Sequence, residues 1–133
     1  MEPVRLLIVD NNLQFHDLIN GFFKHHDQYV VIGNALSGNE GIRLASQLKP
    51  DVILLDVHME DTNGIEMIPR FHKALPEVRI IMLTIYDIDI YRQHAKAAGA
   101  KGYVLKGDIF NSLIPAIEQS LSTSLEYSTW ECT

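Results

Sequence analysis

The sequence predicts an α/β domain in which a parallel sheet carries helices on both faces. Three observations lead there. Five short apolar runs recur along the chain, near-continuous and rich in Val and Ile, as strands buried on both sides should be. Segments with apolar residues at helical spacing lie between them. Turn-forming residues fall where those helices should end. The 133 residues fit one domain, and an apolar content of 47% is enough for a core.

The elements follow in order. Leu6–Val9 reads as the first strand. Phe15, Leu18, Ile19, Phe22 and Phe23 then keep the i, i+3, i+4, i+7, i+8 spacing of a helix face. Tyr29–Gly33 is the second strand, and Ile42, Ala45 and Leu48 mark a short helix. Val52–Leu55 is the third strand. Ile68, Phe71 and Leu75 mark a helix in which Pro69 should impose a kink or a later start. Ile80–Leu83 is the fourth strand, followed by a narrow stripe of Ile88, Tyr91, Ala95 and Ala98. Gly102–Leu105 is the fifth, followed by Phe110, Leu113, Ile114, Ile117 and Leu121. Pro50-Asp51, Leu75-Pro76-Glu77 and Ala98-Gly99 are the breaks. A strand–helix pair repeated five times calls for a parallel sheet with right-handed crossovers. Residues 1–121 read as the domain. Residues 122–133 are polar without a clear period and read as a tail or linker stub.

Composition narrows the function. A formal charge of −6 argues against direct nucleic-acid binding by this segment, since phosphate contacts need basic clusters. No apolar stretch approaches the roughly 18 residues of a membrane span, and the start lacks the basic and apolar regions of a signal peptide. The single cysteine, Cys132, allows no intramolecular disulfide, which is compatible with the cytosol. A cytoplasmic protein is expected.

In an open parallel sheet, sites form beyond the carboxyl ends of the strands. Here those ends deliver Asp10-Asn11, Asp56, Thr84 and Lys106. Acidic and amide oxygens can hold a hard cation such as Mg²⁺. Lys106 and Thr84 can hold phosphoryl oxygens. Asp56, centrally placed, can be a nucleophile that takes a phosphoryl group once its charge is screened.

The segments "LLIVDNN", "PDVILLDVHMEDTNG", "PEVRIIMLTIYD" and "AGAKGYVLKGD" together resemble the response-regulator receiver domain of two-component signalling. The wording of the last is most similar to the branch that carries a C-terminal LuxR-type helix-turn-helix domain. The resemblance spans Val4 to about Leu121. It implies a flavodoxin-like (CheY-like) fold with strand order 2-1-3-4-5. It implies that Asp56 is the phosphoacceptor, and that Asp10, Asn11, Asp56 and the backbone carbonyl of His58 surround Mg²⁺. By the same resemblance Thr84 and Lys106 bind the phosphoryl group, and Thr84 and Tyr103 form the switch. A histidine kinase or phosphotransfer protein would be the donor. Partners, or a second copy in a homodimer, would read the face of the fourth helix, fifth strand and fifth helix.

Three positions depart from the family pattern. Asn11 stands where a second acid is usual, so Mg²⁺ affinity should fall. Glu60 replaces a usual proline. Ile85 replaces a usual small residue beside the pocket. His58 and Tyr86 flank the path of an attacking water. These departures keep a second reading open, a pseudo-receiver that works as an interaction module without phosphate. A third, a haloacid-dehalogenase-like phosphatase, needs a second acid two residues past the nucleophile, where this chain has His58. The expectation is therefore a signalling domain and not an enzyme.

Other signals carry less. Gly33–Glu40 has P-loop-like glycine spacing without the Lys and Ser/Thr that would hold phosphates. His25 and His26 fit a helix end near its negative pole. His16, His72 and His94 read as ordinary surface or partly buried residues.

Overall fold

The computed structural model describes residues 2–122. Its order is β1 (Val4–Val9), α1 (Leu13–Phe23), β2 (Tyr29–Ala35), α2 (Gly38–Leu48), β3 (Val52–Asp56), α3 (Gly64–Ala74), β4 (Arg79–Thr84), α4 (Asp89–Ala98), β5 (Gly102–Leu105) and α5 (Ile109–Ser122), with a 3₁₀ turn at Lys106–Asp108. The strands form one parallel sheet in the order β2-β1-β3-β4-β5, as expected. The segment 123–133, expected to be a tail, lies outside the described residues, as does Cys132. Within the described residues α5 runs as far as Ser122.

The two-residue period of the strands divides the core in two. Leu7, Val9, Ile53, Leu55, Ile80 and Met82 face one side, where Met67, Ile68, Phe71 and Ala95 cover them. Leu6, Ile8, Val52, Leu54, Ile81 and Leu83 face the other, against Phe15, Ile19, Leu113 and Ile117. Both strand faces are dry, which is why the runs read as continuous rather than alternating.

Three helices start on a side-chain cap. Asn12 accepts from Phe15 N at 3.0 Å, Ser37 from Glu40 N at 3.1 Å, and Asn63 from Ile65 N at 2.8 Å. Glu40 reaches back to Leu36 N at 2.9 Å and completes a capping box. The glycine-rich stretch before α2 is thus a helix cap. Its outermost amides, on Gly38 and Asn39, donate to the two oxygens of Asp61 at 3.1 and 3.2 Å. Those bonds hold the Asp61 carboxyl below its usual range and tie the β3–α3 loop to α2.

Pro69 does not delay its helix. α3 begins at Gly64 and runs through it. An interior proline costs about 3 kcal/mol. Its neighbours Met67, Ile68 and Phe71 are buried to within 1% of completely, and each contributes roughly 1.5–3 kcal/mol. Burial wins, with the proline itself on the exposed face.

Candidate functional site

β1 and β3 are adjacent, with Val9 opposite Leu55, so the residues that follow bring Asp10 and Asp56 side by side. Asp10 is fully buried and Asp56 is 6% exposed. Lys106 comes from the far edge of the sheet, just after β5. Its Nζ donates to Asp10 Oδ2 at 2.6 Å and stands 3.7 Å from Asp56 Oδ2. It also rests 4.2 Å above the Phe15 ring, which steers the ammonium inward.

Backbone donors hold both carboxylates. Asn12 N donates to Asp10 Oδ1 at 2.8 Å, and His58 N donates to Asp56 Oδ1 at 3.2 Å. Behind Asp56 the chain turns so tightly that a Cβ on Gly64 would stand 1.9 Å from the Asp56 carbonyl oxygen. No side chain fits there, and Gly64 N closes the turn on Val57 O at 2.6 Å. Burial pushes the Asp56 carboxyl up to about 6; Lys106 pulls it down and the Asp10 charge pushes it up again.

Asp10, Asn11, Asp56 and Lys106 line one cleft of about 500 Å³, with His58, Ile85, Tyr86, Ile88 and Tyr91 on its walls. Asn11 is exposed at the rim. A larger hollow of about 870 Å³ lies at the opposite ends of the strands. There Arg5 donates to the carbonyls of Leu48 and Lys49, and Arg79 to those of Glu77 and Ser120.

Thr84 ends β4, but its phase on the strand differs. Alternation puts it with Ile80 and Met82, on the sheet face that also holds Tyr103. Its side chain is fully buried and is not part of the cleft wall. It accepts from Tyr86 N at 3.0 Å and hydrogen-bonds the Tyr103 hydroxyl. Tyr103 is turned inward, 8% exposed, with its hydroxyl donating to Tyr86 O at 3.2 Å. Arg92 of α4 lies over the ring at 4.5 Å and pairs with Asp87 at 2.8 Å. Burial raises the Tyr103 hydroxyl above its ordinary value.

His16 is a correction. It is 4% exposed and belongs to the site's foundation. Its Nε2 is 2.6 Å from the Asp10 carbonyl oxygen and its Nδ1 is 2.9 Å from Asn34 Oδ1. Asn20 Nδ2 donates both to that Oδ1 and to His16 O. The signal was a polar stripe at helical spacing, Asn12, His16 and Asn20. His26 does stand past the end of α1, half-buried against the Phe22 ring at 4.7 Å.

Known proteins share this fold. The profile of the response regulator receiver domain matches residues 6–118. The transcriptional regulatory protein YdfI of Bacillus subtilis is 34% identical over 117 residues, covering 88% of this chain and 54% of YdfI. The response regulator protein VraR of Staphylococcus aureus is 34% identical over 119 residues, 88% of this chain and 56% of VraR. The chain thus spans little more than half the length of these relatives. Among solved structures, a LuxR-family two-component response regulator from Aurantimonas sp. SI85-9A1 superposes with a TM-score of 0.83 at 26% identity, covering 88% of this chain and 84% of the other. The response regulator domain of Thermotoga maritima CheB gives 0.85 at 25%, covering 92% and 99%. These are signalling domains and regulators rather than enzymes, which sets the phosphatase reading aside. The chain belongs to the response-regulator receiver domain family of two-component signalling, and its relatives include regulators of the LuxR family.

Proposed function

We propose that this receiver domain accepts a phosphoryl group on Asp56 from a histidine kinase or phosphotransfer protein in the cytoplasm. It then signals through the α4–β5–α5 face to a partner or a DNA-binding output domain. The observation that carries this reading is the Asp56–Lys106–Asp10 cluster. A nearly buried carboxylate faces a cleft, with a lysine ammonium 3.7 Å away to meet the incoming phosphoryl oxygens.

Receiver domains generally bind Mg²⁺ at this acidic site. The donors here fit such an ion: the Asp10 and Asp56 carboxylates, the His58 carbonyl and the Asn11 amide oxygen are all hard, with water completing the shell. When bound, Mg²⁺ neutralises charge on the two carboxylates and on the transferring group. Among the described residues no set of three or more His, Cys, Asp or Glu side chains could hold a metal, so the site has two carboxylates and no third. Asn11 supplies an oxygen without a charge, and we assign the site a weakened affinity.

A pseudo-receiver is the second reading, favoured by one observation: Asn11, an uncharged amide, stands at the rim of the cleft where the family usually has a second acid. The test for both is intact mass after incubation with Mg²⁺ and acetyl phosphate, on the wild type and Asp56→Ala. One added phosphoryl group on the wild type alone supports the receiver. No adduct on a folded protein at any Mg²⁺ concentration supports the pseudo-receiver.

A further inference from the structure

The loop between β3 and α3 carries the one backbone oxygen proposed for Mg²⁺, the His58 carbonyl. Residues 57–64 fold back as a small antiparallel hairpin in which His58 faces Asn63. Its rungs lie on either side of that pair. Met59 N donates to Thr62 O at 3.3 Å, and Gly64 N to Val57 O at 2.6 Å. In such a pair the N–H and C=O of the facing residue both point away from the partner segment. The His58 N–H accordingly reaches Asp56 Oδ1 at 3.2 Å. The His58 carbonyl, on the same side, accepts no hydrogen bond among the described residues.

Two rungs alone are a weak hold, since an isolated hairpin is marginal in water. Glu60 at the tip supplies no proline to fix φ. The anchor is its neighbour, Asp61. Its Oδ1 accepts from Gly38 N at 3.1 Å and its Oδ2 from Asn39 N at 3.2 Å. These are the first two amides of α2, which the helix itself leaves unpaired. The Ser37 hydroxyl takes the third, on Glu40. Packing presses the loop to the same place, because a Cβ on Gly38 would stand 2.7 Å from Thr62 Cγ2. α2 in turn lies close on β1, where a Cβ on Gly41 would stand 3.0 Å from the side chain of Val9. Val9 leads into Asp10. The tip of the Asp56 loop is thus braced, through one helix, on the strand that delivers the other carboxylate.

We infer that Asp61 is a positioning residue for the metal site. By bracing the hairpin on α2 it holds the His58 carbonyl in place relative to Asp10 and Asp56, and so supports Mg²⁺ affinity from outside the cleft, which it does not line. The inference rests on the reading of that carbonyl as a Mg²⁺ donor. A carboxylate suits the task, because its two oxygens meet two adjacent amides at the positive end of a helix. An asparagine offers one such oxygen and an alanine none.

The experiment compares wild type, Asp61→Ala, Asp61→Asn and Ser37→Ala. The last removes a cap from the same helix end and leaves both Asp61 bonds. Three quantities are measured: amide exchange of Met59 and Gly64 without metal, Mg²⁺ affinity by calorimetric titration, and the rate of Asp56 phosphorylation by acetyl phosphate against Mg²⁺ concentration. Asp61→Ala is expected to speed exchange at both amides before any metal is added. It is expected to weaken Mg²⁺ binding about tenfold, as loss of an outer support does. The Mg²⁺ concentration for half-maximal rate should rise by the same factor, with the rate at saturation unchanged. Asp61→Asn should fall between Asp61→Ala and wild type, and Ser37→Ala should match wild type. Wild-type affinity in Asp61→Ala overturns the inference. So does an equal fall in Asp61→Asn, which would mean a remote charge effect, or in Ser37→Ala, which would mean general loosening of α2. A wild type that binds no Mg²⁺ overturns the donor reading and the inference with it. A wild type that binds Mg²⁺ but takes no phosphoryl group overturns the acceptor reading alone, since affinity and exchange are read without transfer.

Discussion

Lys106 is bound to Asp10, not to Asp56: its Nζ donates to Asp10 Oδ2 at 2.6 Å and stops 3.7 Å short of Asp56 Oδ2. The fully buried Asp10 thus has its counter-charge, and Asp56 is left with only part of one. Lys106→Met removes the partner of a buried carboxylate. It should lower stability by about 2–4 kcal/mol near neutral pH, less than a fully enclosed pair because the lysine keeps 15% of its exposure. Urea unfolding of the two proteins checks this. A loss below 0.5 kcal/mol would mean that water already screens Asp10.

The share Asp56 lacks appears as pH dependence. Its folded-state value of about 6 lies above the ordinary 3.8. The neutral carboxyl is therefore favoured by folding. That stability is fully present below the unfolded value and is lost as pH rises through about 6. Asp56→Asn escapes the loss. It should be more stable than wild type by about 1–3 kcal/mol at pH 7.5, with the gain shrinking as pH falls from 6 toward 4. Thermal melts across that range read it out, and a constant gain at every pH would refute the cause.

In the proposed Mg²⁺ site, Asn11 is the position expected to limit affinity. Asn11→Asp adds a charge at the rim of a site with two carboxylates. Mg²⁺ affinity, measured by calorimetric titration, should rise at least tenfold, in line with the roughly ten- to hundredfold cost of losing even an outer-shell partner. The same change without Mg²⁺ should lower the melting temperature, because a third negative charge joins Asp10 and Asp56.

His16 underpins Asp10. His16→Leu keeps the apolar volume but removes the ring nitrogens that stand 2.6 Å from the Asp10 carbonyl and 2.9 Å from Asn34 Oδ1, the latter keeping its bond from Asn20. The expected loss is about 2–3 kcal/mol, the cost of leaving a buried acceptor unpaired. His16→Gln should recover part of it. Equal stability of His16→Leu and wild type in urea would show that water replaces the ring.

The strands were legible in the sequence because both faces are buried, so every residue from Leu6 to Val9 or Val52 to Leu55 had to be apolar. The strand ends were legible because polar groups there interrupt the runs. Their phase was legible too, though it is easily passed over. Counting by twos along β4 separates Thr84 from the cluster around Asp56 and puts it with Tyr103. Part of the cleft wall was legible only through the family resemblance, which put His58, Ile85 and Tyr86 beside the pocket. The helical stripe that contains Ile88 and Tyr91 gave no sign that those two would face Asp56. Pro69 misled because propensity acts locally, whereas Ile68 and Phe71 are buried by tertiary contacts.

Arg92 decides how firmly Tyr103 is held. Its guanidinium covers the ring, while Asp87 binds Nη2 and leaves Nε buried without a hydrogen-bond partner among the described residues. A guanidinium kept in place with one donor unpaired signals that the ring contact and the Asp87 pair outweigh that cost, typically about 1–3 kcal/mol. Arg92→Ala removes the cover without touching the hydroxyl's bond to Tyr86 O. Tyr103→Phe removes the hydroxyl's bonds and leaves the cover. If the ring is held chiefly from above, Arg92→Ala should speed amide exchange across β5 and the start of α4 more than Tyr103→Phe does. If the hydroxyl holds it, the order reverses. Hydrogen exchange of Gly102–Leu105 in both variants separates the two. The first order would make Arg92, on the α4 surface a partner would read, the residue through which partner binding and the state of Tyr103 are coupled.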